Sequence, residues 1–239
     1  MFNCEKIKEE YPYLTELHSH TNPCSPCGKV SPEETVKLYA ETGCTALVIT
    51  NHICAPYFSD VDPDELAEGY LEPYYRALET ARGTSLSVIL GAELRFFENN
   101  NDYLIYGICP EDIKTLISSM PLGLEGFYRS FKNERNLIIQ AHPMRKSCVT
   151  APLDSIDGIE AFNLHPHHNS RVSLAAQHAT KNGKILTGGT DFHESEHAAL
   201  CLTRTKVPLH DSYDVARVLS SGDFVLDISG SILIPYCKN

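Results

Sequence analysis

The stretch TELHSHTNPCSPCGKVSPEETVKLYAETGCTALVITNH, residues 15–52, has the pattern of a strand, a helix and a second strand. Residues 15–21 predict a short strand that carries two histidines, and residues 45–52 predict an apolar strand. Residues 31–43 between them predict a helix. This order is a βα unit, which predicts that the two strands are parallel neighbours in a sheet.

The helix of this unit is marked at both ends. Ser31 is a predicted N-cap, Pro32 stands at the first helical position, and Glu34 completes a capping box. Gly43 is the expected terminator. We therefore expect a well-defined boundary between the first strand and the helix, which leaves residues 22–30 as a loop.

The same alternation continues to the end of the chain. Apolar runs that predict strands fall at residues 86–98, 102–108, 136–143, 157–163, 184–193, 201–207 and 224–229. Helical patterns fall at residues 62–83, 124–135, 171–183 and 212–222. A break or kink is expected at Pro73. Strands that alternate with helices predict an α/β fold with a mostly parallel sheet, and since no linker-like stretch interrupts them, residues 1–239 are predicted to form one domain.

A closed barrel is favoured over a doubly wound sheet for this α/β fold. A doubly wound dinucleotide-binding fold normally has a Gly-rich phosphate loop after its first strand, and this chain has none there. The residues that could carry chemistry follow the ends of many different strands, which is where barrel enzymes place them.

Composition narrows the class of protein. The 239 residues carry a formal net charge of −11, which disfavours non-specific binding to nucleic acid or to an anionic membrane surface. No apolar run reaches the roughly 20 residues of a membrane span, and residues 1–13 lack the apolar segment of a signal peptide. Nine cysteines, an odd number, argue against a disulfide framework. We therefore expect a cytoplasmic protein without a membrane partner or a stable nucleic-acid partner.

Histidines and carboxylates stand at the ends of the predicted strands, where a barrel would bring them to one mouth. They are His18, His20, His52, Glu93, Asp102, His142, Asp191 and His193. Two of the pairs are two residues apart, so on a strand both members face the same side. Imidazoles with carboxylates suit Zn, Fe, Mn or Ni. The set predicts a metal centre. A structural role remains the alternative for any single member.

The carboxylates bear on the number of metal ions. A glutamate between imidazoles, as Glu93 is predicted to be, can bridge two cations. Cations roughly 3.5–4 Å apart can hold a hydroxide and clamp the oxygens of an in-line displacement, which suits phosphate esters.

Candidate substrate-binding residues follow two of the strands. Arg145 comes shortly after His142, and Arg171 ends HHNSR; a guanidinium binds a phosphate through two parallel hydrogen bonds. Asn163 and His168 in residues 160–171 could line the pocket. Solvated surface positions are the alternative for these residues.

The ordered motifs HSH, ITNH, GAE, AHP and TDFH resemble the PHP (polymerase and histidinol phosphatase) family, and the resemblance extends from Glu16 to His193. It implies a distorted, TIM-like (β/α)7 barrel with a trinuclear centre that hydrolyses phosphoesters through a metal-bound hydroxide. Two to three divalent ions, Zn, Fe or Mn, are expected, with a small phosphorylated metabolite such as histidinol phosphate as substrate.

The same resemblance implies a role for each motif residue. One metal would be held by His18, His20, Glu93 and Asp191, a second by Glu93 and His142, and a third by His52 and His193. Arg145 matches the segment that supplies a phosphate-binding arginine. Asp191 or a histidine would handle the proton, so Asp191 and Arg145 are the candidate catalytic residues.

The sequence departs from the family pattern at two places. Asp102 stands where many members have a histidine, and a carboxylate could ligate there too. Cys24, Pro26 and Cys27 occupy the region where many members have a further histidine or aspartate. Either the two cysteines belong to an ordinary turn, and the third metal is then bound more weakly or with solvent as the missing ligand, or Cys27 ligates the third metal. A thioredoxin-like motif is disfavoured because CSPC does not open a helix.

The sequence leaves three other functions open. A PHP-type nuclease would need a basic, aromatic-studded groove, which the acidic composition disfavours. A non-catalytic metal-binding regulatory domain is disfavoured by the retained motifs. An amidohydrolase would normally use a modified lysine in the bridging position, where this chain has Glu93.

Overall fold

The computed structural model describes residues 4–54 and 62–235. The strands are β1 Tyr13–Glu16, β2 Ala46–Ile49, β3 His52–Cys54, β4 Ser87–Leu90, β5 Ala92–Arg95, β6 Tyr103–Tyr106, β7 Leu137–Gln140, β8 Gly158–Asn163, β9 Ile185–Gly189, β10 Cys201–Thr205, β11 Phe224–Ile228 and β12 Ser231–Leu233. The α-helices are α1 Cys4–Glu10, α2 Pro32–Glu41, α3 Pro63–Ala81, α4 Ile113–Ser119, α5 Gly123–Phe131, α6 Val172–Lys181 and α7 Ser212–Ser221.

The strands form two six-stranded sheets, ordered β12-β11-β10-β1-β2-β4 and β3-β5-β6-β7-β8-β9. The chain passes directly from the first sheet to the second twice, from β2 into β3 and from β4 into β5. On the other side, a parallel bridge between Ser19 and Phe192 joins the ends of β1 and β9. The residues at these crossings, 18–20, 50–52, 91–93 and 190–193, form a line that we call the seam.

Gly91 allows the seam to close. A Cβ atom at this position would lie 2.9 Å from Thr50 Cγ2 and 2.9 Å from Val48 Cγ1, closer than van der Waals contact permits. The missing side chain lets β4 turn into β5 against the neighbouring strand. This turn divides the predicted strand 86–98 between the two sheets.

The predicted start of α2 is confirmed: Ser31 and Glu34 form the capping box and Pro32 begins the helix. The expected break at Pro73 is wrong, because α3 continues through this residue. Pro73 is buried on the apolar face of α3, which packs against α2 and α4. Burial of that face outweighs the roughly 3 kcal/mol that a proline costs inside a helix. Helices α1 and α4 were not predicted.

The α/β class is confirmed, but the predicted mostly parallel sheet is wrong. Within the described ranges, five strand pairs are parallel and five are antiparallel. One antiparallel pair follows from a tight turn: Ser229 and Gly230 both have positive φ between β11 and β12, as a two-residue hairpin requires. These strands are arranged as two sheets rather than as one closed ring, and the distorted (β/α)7 barrel stays a prediction.

Apolar side chains fill the space between the sheets and the helices. In a smaller cluster, Tyr39 of α2 packs edge-on against Phe192 of the seam, with ring centroids 5.3 Å apart. Packing on the seam therefore holds the polar residues that flank Phe192 in place. In the described part of the chain, no helix combines the length and the apolar character that crossing a membrane requires.

Candidate metal centre

The predicted ligands lie along the seam. Two of them flank each residue of the bridge between Ser19 and Phe192. These pairs are His18 with His20 and Asp191 with His193. His18 and His20 lie on extended backbone, where side chains alternate, so both face the same side. Glu93 and His52 come from the strands that cross the seam, where they are direct partners in the β3–β5 register.

Glu93 lies at the centre of the site. Its carboxylate oxygens are 3.3 Å from His18 Nε2, 3.3 Å from His20 Nε2, 2.9 Å from His52 Nδ1 and 3.4 Å from His142 Nε2. The side chain is fully buried, and neither oxygen has an aligned hydrogen-bond partner among the described residues. A buried carboxylate in this state is costly unless a cation compensates it.

Asp191 completes the inner group. Its Oδ1 atom lies 3.4 Å from His18 Nε2 and 3.3 Å from His20 Nε2, and these two nitrogens are 3.1 Å apart. Ligands about 2.1 Å from one ion lie roughly 3.0–3.4 Å from each other in octahedral or tetrahedral arrangements. Burial and the neighbouring His52 hold the pKa of His20 well below its usual value. The residues therefore fit a divalent cation in both spacing and donor chemistry.

A second cluster lies beside the first and includes one cysteine. The ligand atoms of His20, His52 and His193 lie within 4.8 Å of one another. Cys27 Sγ lies 3.1 Å from His193 Nε2. Burial raises the pKa of the Cys27 thiol, but contacts with His193 and His52 outweigh this and bring the pKa to about 6. Cys27 is thus poised to supply a thiolate at this position.

Asp102 forms an ion pair with a residue that the sequence did not indicate. Arg95 holds its carboxylate through two hydrogen bonds, Nε to Oδ1 at 2.7 Å and Nη2 to Oδ2 at 2.6 Å. The Oδ2 atom is also 3.8 Å from His142 Nε2. Asp102 therefore borders the predicted second metal position with its charge already paired.

Two buried glutamates that no sequence motif indicated support the ligands from behind. Glu160 of β8 accepts hydrogen bonds from His18 Nδ1 at 2.8 Å, from the His142 backbone N–H at 3.2 Å and from Asn163 Nδ2 at 2.9 Å. Gly189 makes room for this contact, since a Cβ atom there would lie 2.7 Å from Glu160 Oε1. The available signal was a charged residue inside the otherwise apolar run GIEAF.

Glu16 is the other buried glutamate. It accepts hydrogen bonds from the backbone N–H groups of His18 (3.1 Å) and Thr190 (3.0 Å) and from the Tyr39 hydroxyl (2.8 Å). Burial raises its pKa to about 7. Because Glu16 binds the backbone on both sides of the bridge, it fixes the two ligand pairs relative to each other.

Two of the candidate ligands have strained backbone. His142 has φ 30° and Asp191 has φ 58°, both in the region that favours glycine. Such conformations cost about 1–3 kcal/mol and persist where surrounding contacts impose them. Here the Glu160 contact to the His142 N–H and the side-chain contacts of Asp191 do so.

The predicted substrate-binding residues lie at different distances from the metal centre. Arg145 and Asn163 are drawn into the centre: Arg145 Nη2 donates to Asp191 Oδ2 at 2.5 Å and to Asn163 Oδ1 at 2.7 Å. Arg145 and the exposed His168 line a cavity of about 230 Å³ together with several candidate ligands. Arg171 is exposed; it lines a larger outer cleft of about 740 Å³ and does not line the smaller cavity.

Comparison with known proteins adds a family and a set of similar folds. Residues 16–188 match the family model described as the PHP domain. A two-domain protein from Bacteroides vulgatus that contains a predicted PHP-like metal-dependent phosphoesterase has a TM-score of 0.62 at 17% identity, over 90% of this chain and 64% of that one. This chain thus spans less than two thirds of that protein's length. No curated protein matches the sequence.

Two further solved structures share the fold. PsfC from Pseudomonas syringae has a TM-score of 0.57 at 12% identity, over 80% of this chain and 81% of that one. A candidate metal-dependent phosphoesterase from Bifidobacterium adolescentis has a TM-score of 0.51 at 14% identity, over 86% and 95%. Identities this low make the likeness one of fold.

Proposed function

The chain belongs to the PHP domain family, and from this premise we propose that it is a metal-dependent phosphoesterase that hydrolyses a small phosphomonoester at a centre of two or three metal ions. The observation that carries the proposal is the environment of Glu93. A buried carboxylate without aligned hydrogen-bond partners in the described structure, surrounded by the nitrogens of four histidines, fits a bridging ligand.

Each group of residues would hold its own ion. The first ion would be bound by His18, His20, Glu93 and Asp191. The second would be bound by Glu93 and His142, and Asp102 borders this second position. His52, His193 and Cys27 would bind a third. Bound divalent ions of this kind activate water and neutralise charge on a phosphoryl group. Zn, Fe and Mn all suit the imidazole and carboxylate donors, and a Cys27 thiolate favours Zn at the third position.

Arg145 and Asp191 are the residues we propose for the reaction itself. The Arg145 guanidinium faces the cavity and would bind the non-bridging oxygens of the phosphate. Asn163 accepts one of its hydrogen bonds and so orients it. Asp191 pairs with Arg145 and contacts His193, so its carboxylate is placed to take up or pass on a proton.

We expect Arg145→Ala to lower kcat/KM for a phosphomonoester by about thirty- to a hundredfold while the bound metal is retained, because charge-assisted hydrogen bonds to the phosphate are lost. Steady-state kinetics with elemental analysis of the same preparation would measure both. Arg145→Lys is the matched control, since it keeps the charge but loses the planar fork. An unchanged kcat/KM in Arg145→Ala would exclude the residue from phosphate binding.

Replacement of Cys27 by serine should reduce the occupancy of one metal ion only and weaken Zn binding there by about tenfold or more, because a thiolate is lost from the donor set. Metal content per chain and competition with a Zn chelator measure this. Cys24→Ser is the control within the same CSPC motif, since burial raises the pKa of Cys24 to about 12 and keeps it a thiol. Equal metal content in both variants would leave the cysteines as parts of a turn.

The proposed function is tested by metal content per chain, in protein purified without added metal or chelating resin, together with phosphate release from a panel of metabolites that includes histidinol phosphate. Two to three equivalents with turnover would support it. One equivalent or none, without turnover after Mn, Fe or Zn is restored, would overturn it in favour of a non-catalytic binding domain. Cleavage of a labelled oligonucleotide in preference to p-nitrophenyl phosphate would favour a nuclease. The cytoplasmic location remains a prediction.

A further inference from the structure

The metal-centre cavity lies directly beside the larger outer cleft. The two spaces share five lining residues: Arg95, Asp102, His142, Arg145 and His168. The outer cleft holds about 740 Å³, a volume typical of sites for whole small molecules and far larger than one phosphate group needs. A molecule whose phosphate lies at the metal centre would therefore extend into this outer cleft.

The outer cleft is basic although the chain as a whole is acidic. Its lining contains Arg95, Arg145, Lys146 and Arg171, against Asp102 as the carboxylate among the lining residues. The whole chain has a formal net charge of −11. Positive charge gathered in one concave surface of an acidic protein concentrates anions there, because the surrounding low-dielectric walls focus the field.

Two of these four cations form no ion pair within the part of the chain that the structure describes. Arg95 is held by Asp102, and Arg145 is held by Asp191. Lys146 and Arg171 are exposed, and neither forms an ion pair with any residue in the ranges 4–54 and 62–235. The first turn of α6, which follows Arg171 directly, contains no acidic residue either. The uncompensated charge thus lies in the part of the cleft farther from Glu93, since neither residue lines the inner cavity.

Resting on the proposed phosphoesterase activity, we propose that Lys146 and Arg171 form a second anion subsite and that the preferred substrate is a small phosphoester with a further anionic group. Arg145 would bind the phosphate that is hydrolysed, and the outer pair would bind the second group. Lys146 and Arg171 would determine which substrate is preferred, because they contact a part of the substrate that does not react. Arg171 has φ 47°, a conformation in which the fold holds this non-glycine residue at the N-cap of α6.

The test uses two matched series of compounds, alkyl monophosphates and alkane-α,ω-bisphosphates with two to six methylene groups. The metal-loaded protein is used in both kinetic and calorimetric measurements at low and moderate ionic strength. We expect kcat/KM and affinity to favour the bisphosphate by about tenfold at one optimal length, which corresponds to about 1.4 kcal/mol. The preference should shrink as salt is added, since both cations are exposed.

Variants test whether Lys146 and Arg171 cause the preference for the bisphosphate. The double variant Lys146→Ala/Arg171→Ala should reduce the bisphosphate-to-monophosphate ratio of kcat/KM to near one. Arg82→Ala is the matched control, an exposed arginine at the end of α3 that lines neither space; its ratio should equal that of the parent protein. A general loss of folded protein lowers the rates for both substrates equally, so it does not change the ratio.

The outcomes separate this inference from the proposed function. Turnover of both series with equal kcat/KM at every length would overturn the second subsite and leave the phosphoesterase intact. A preference that survives the double variant would also overturn it. Absence of turnover in every case would overturn the phosphoesterase, while the calorimetric preference and its loss in the double variant would still report on the subsite.

Discussion

Replacing His20 by alanine is expected to remove at least one metal ion per chain and to lower kcat/KM for a phosphomonoester by about a thousandfold. His20 belongs to both candidate clusters: its Nε2 lies 3.3 Å from Glu93 and from Asp191, and its ring stacks on His52. Loss of one imidazole therefore disturbs two ion positions at once. Metal ions contribute several kcal/mol to such reactions, and each 1.36 kcal/mol corresponds to a factor of ten in rate.

The measurement is metal content by elemental analysis together with steady-state kinetics on the same protein. His210→Ala is the control, an exposed histidine that lines neither the cavity nor the outer cleft. Circular dichroism would establish that both variants are folded. Full metal content in folded His20→Ala would show that the assignment of ligands is wrong.

The second large effect is expected from Glu160→Gln, a change behind the ligands rather than among them. Glu160 accepts hydrogen bonds from His18, His142 and Asn163, and the two oxygens of its carboxylate can accept all three. A glutamine amide has one oxygen for these donors and turns its own NH₂ group toward at least one of them. Partners that orient metal-binding histidines typically account for 10–100-fold in metal affinity, and we expect a loss of about that size.

Competition with a chelator would measure the affinity of Glu160→Gln for Zn and Mn, and thermal unfolding of the metal-free protein would measure its stability. Glu125→Gln, at an exposed position on α5, is the control. A positioning role predicts weaker metal binding in a folded variant. A lower melting temperature with unchanged metal affinity would instead mean that Glu160 only stabilises the fold.

Several parts of this protein could be predicted because they depend on local spacing. The capping box of α2 occupies four consecutive positions, and the HSH motif places its two histidines on one face through the alternation of extended backbone. Motif order along the chain indicated the family, and the family model matches residues 16–188. The assignment of the motif residues as metal ligands stays a prediction.

Other features depend on contacts between distant parts of the chain. The Glu160–His18 contact joins residues 142 positions apart, and the Cys27–His193 contact joins residues 166 positions apart. A local pattern shows only that Glu160 belongs to a mostly apolar strand. Its neighbours depend on sheet pairing and on the space beside Gly189.

The sequence by itself determined the types of side chain at the centre and their order along the chain, because strand and helix periodicities place residues that are close in sequence. The tertiary structure alone decided that the strands form two sheets joined at a seam, that Arg95 pairs with Asp102, and that the uncompensated basic charge gathers in one cleft. These features arise from pairing between strands and from packing across the seam, and the free energy of such contacts depends on residues far apart in the chain.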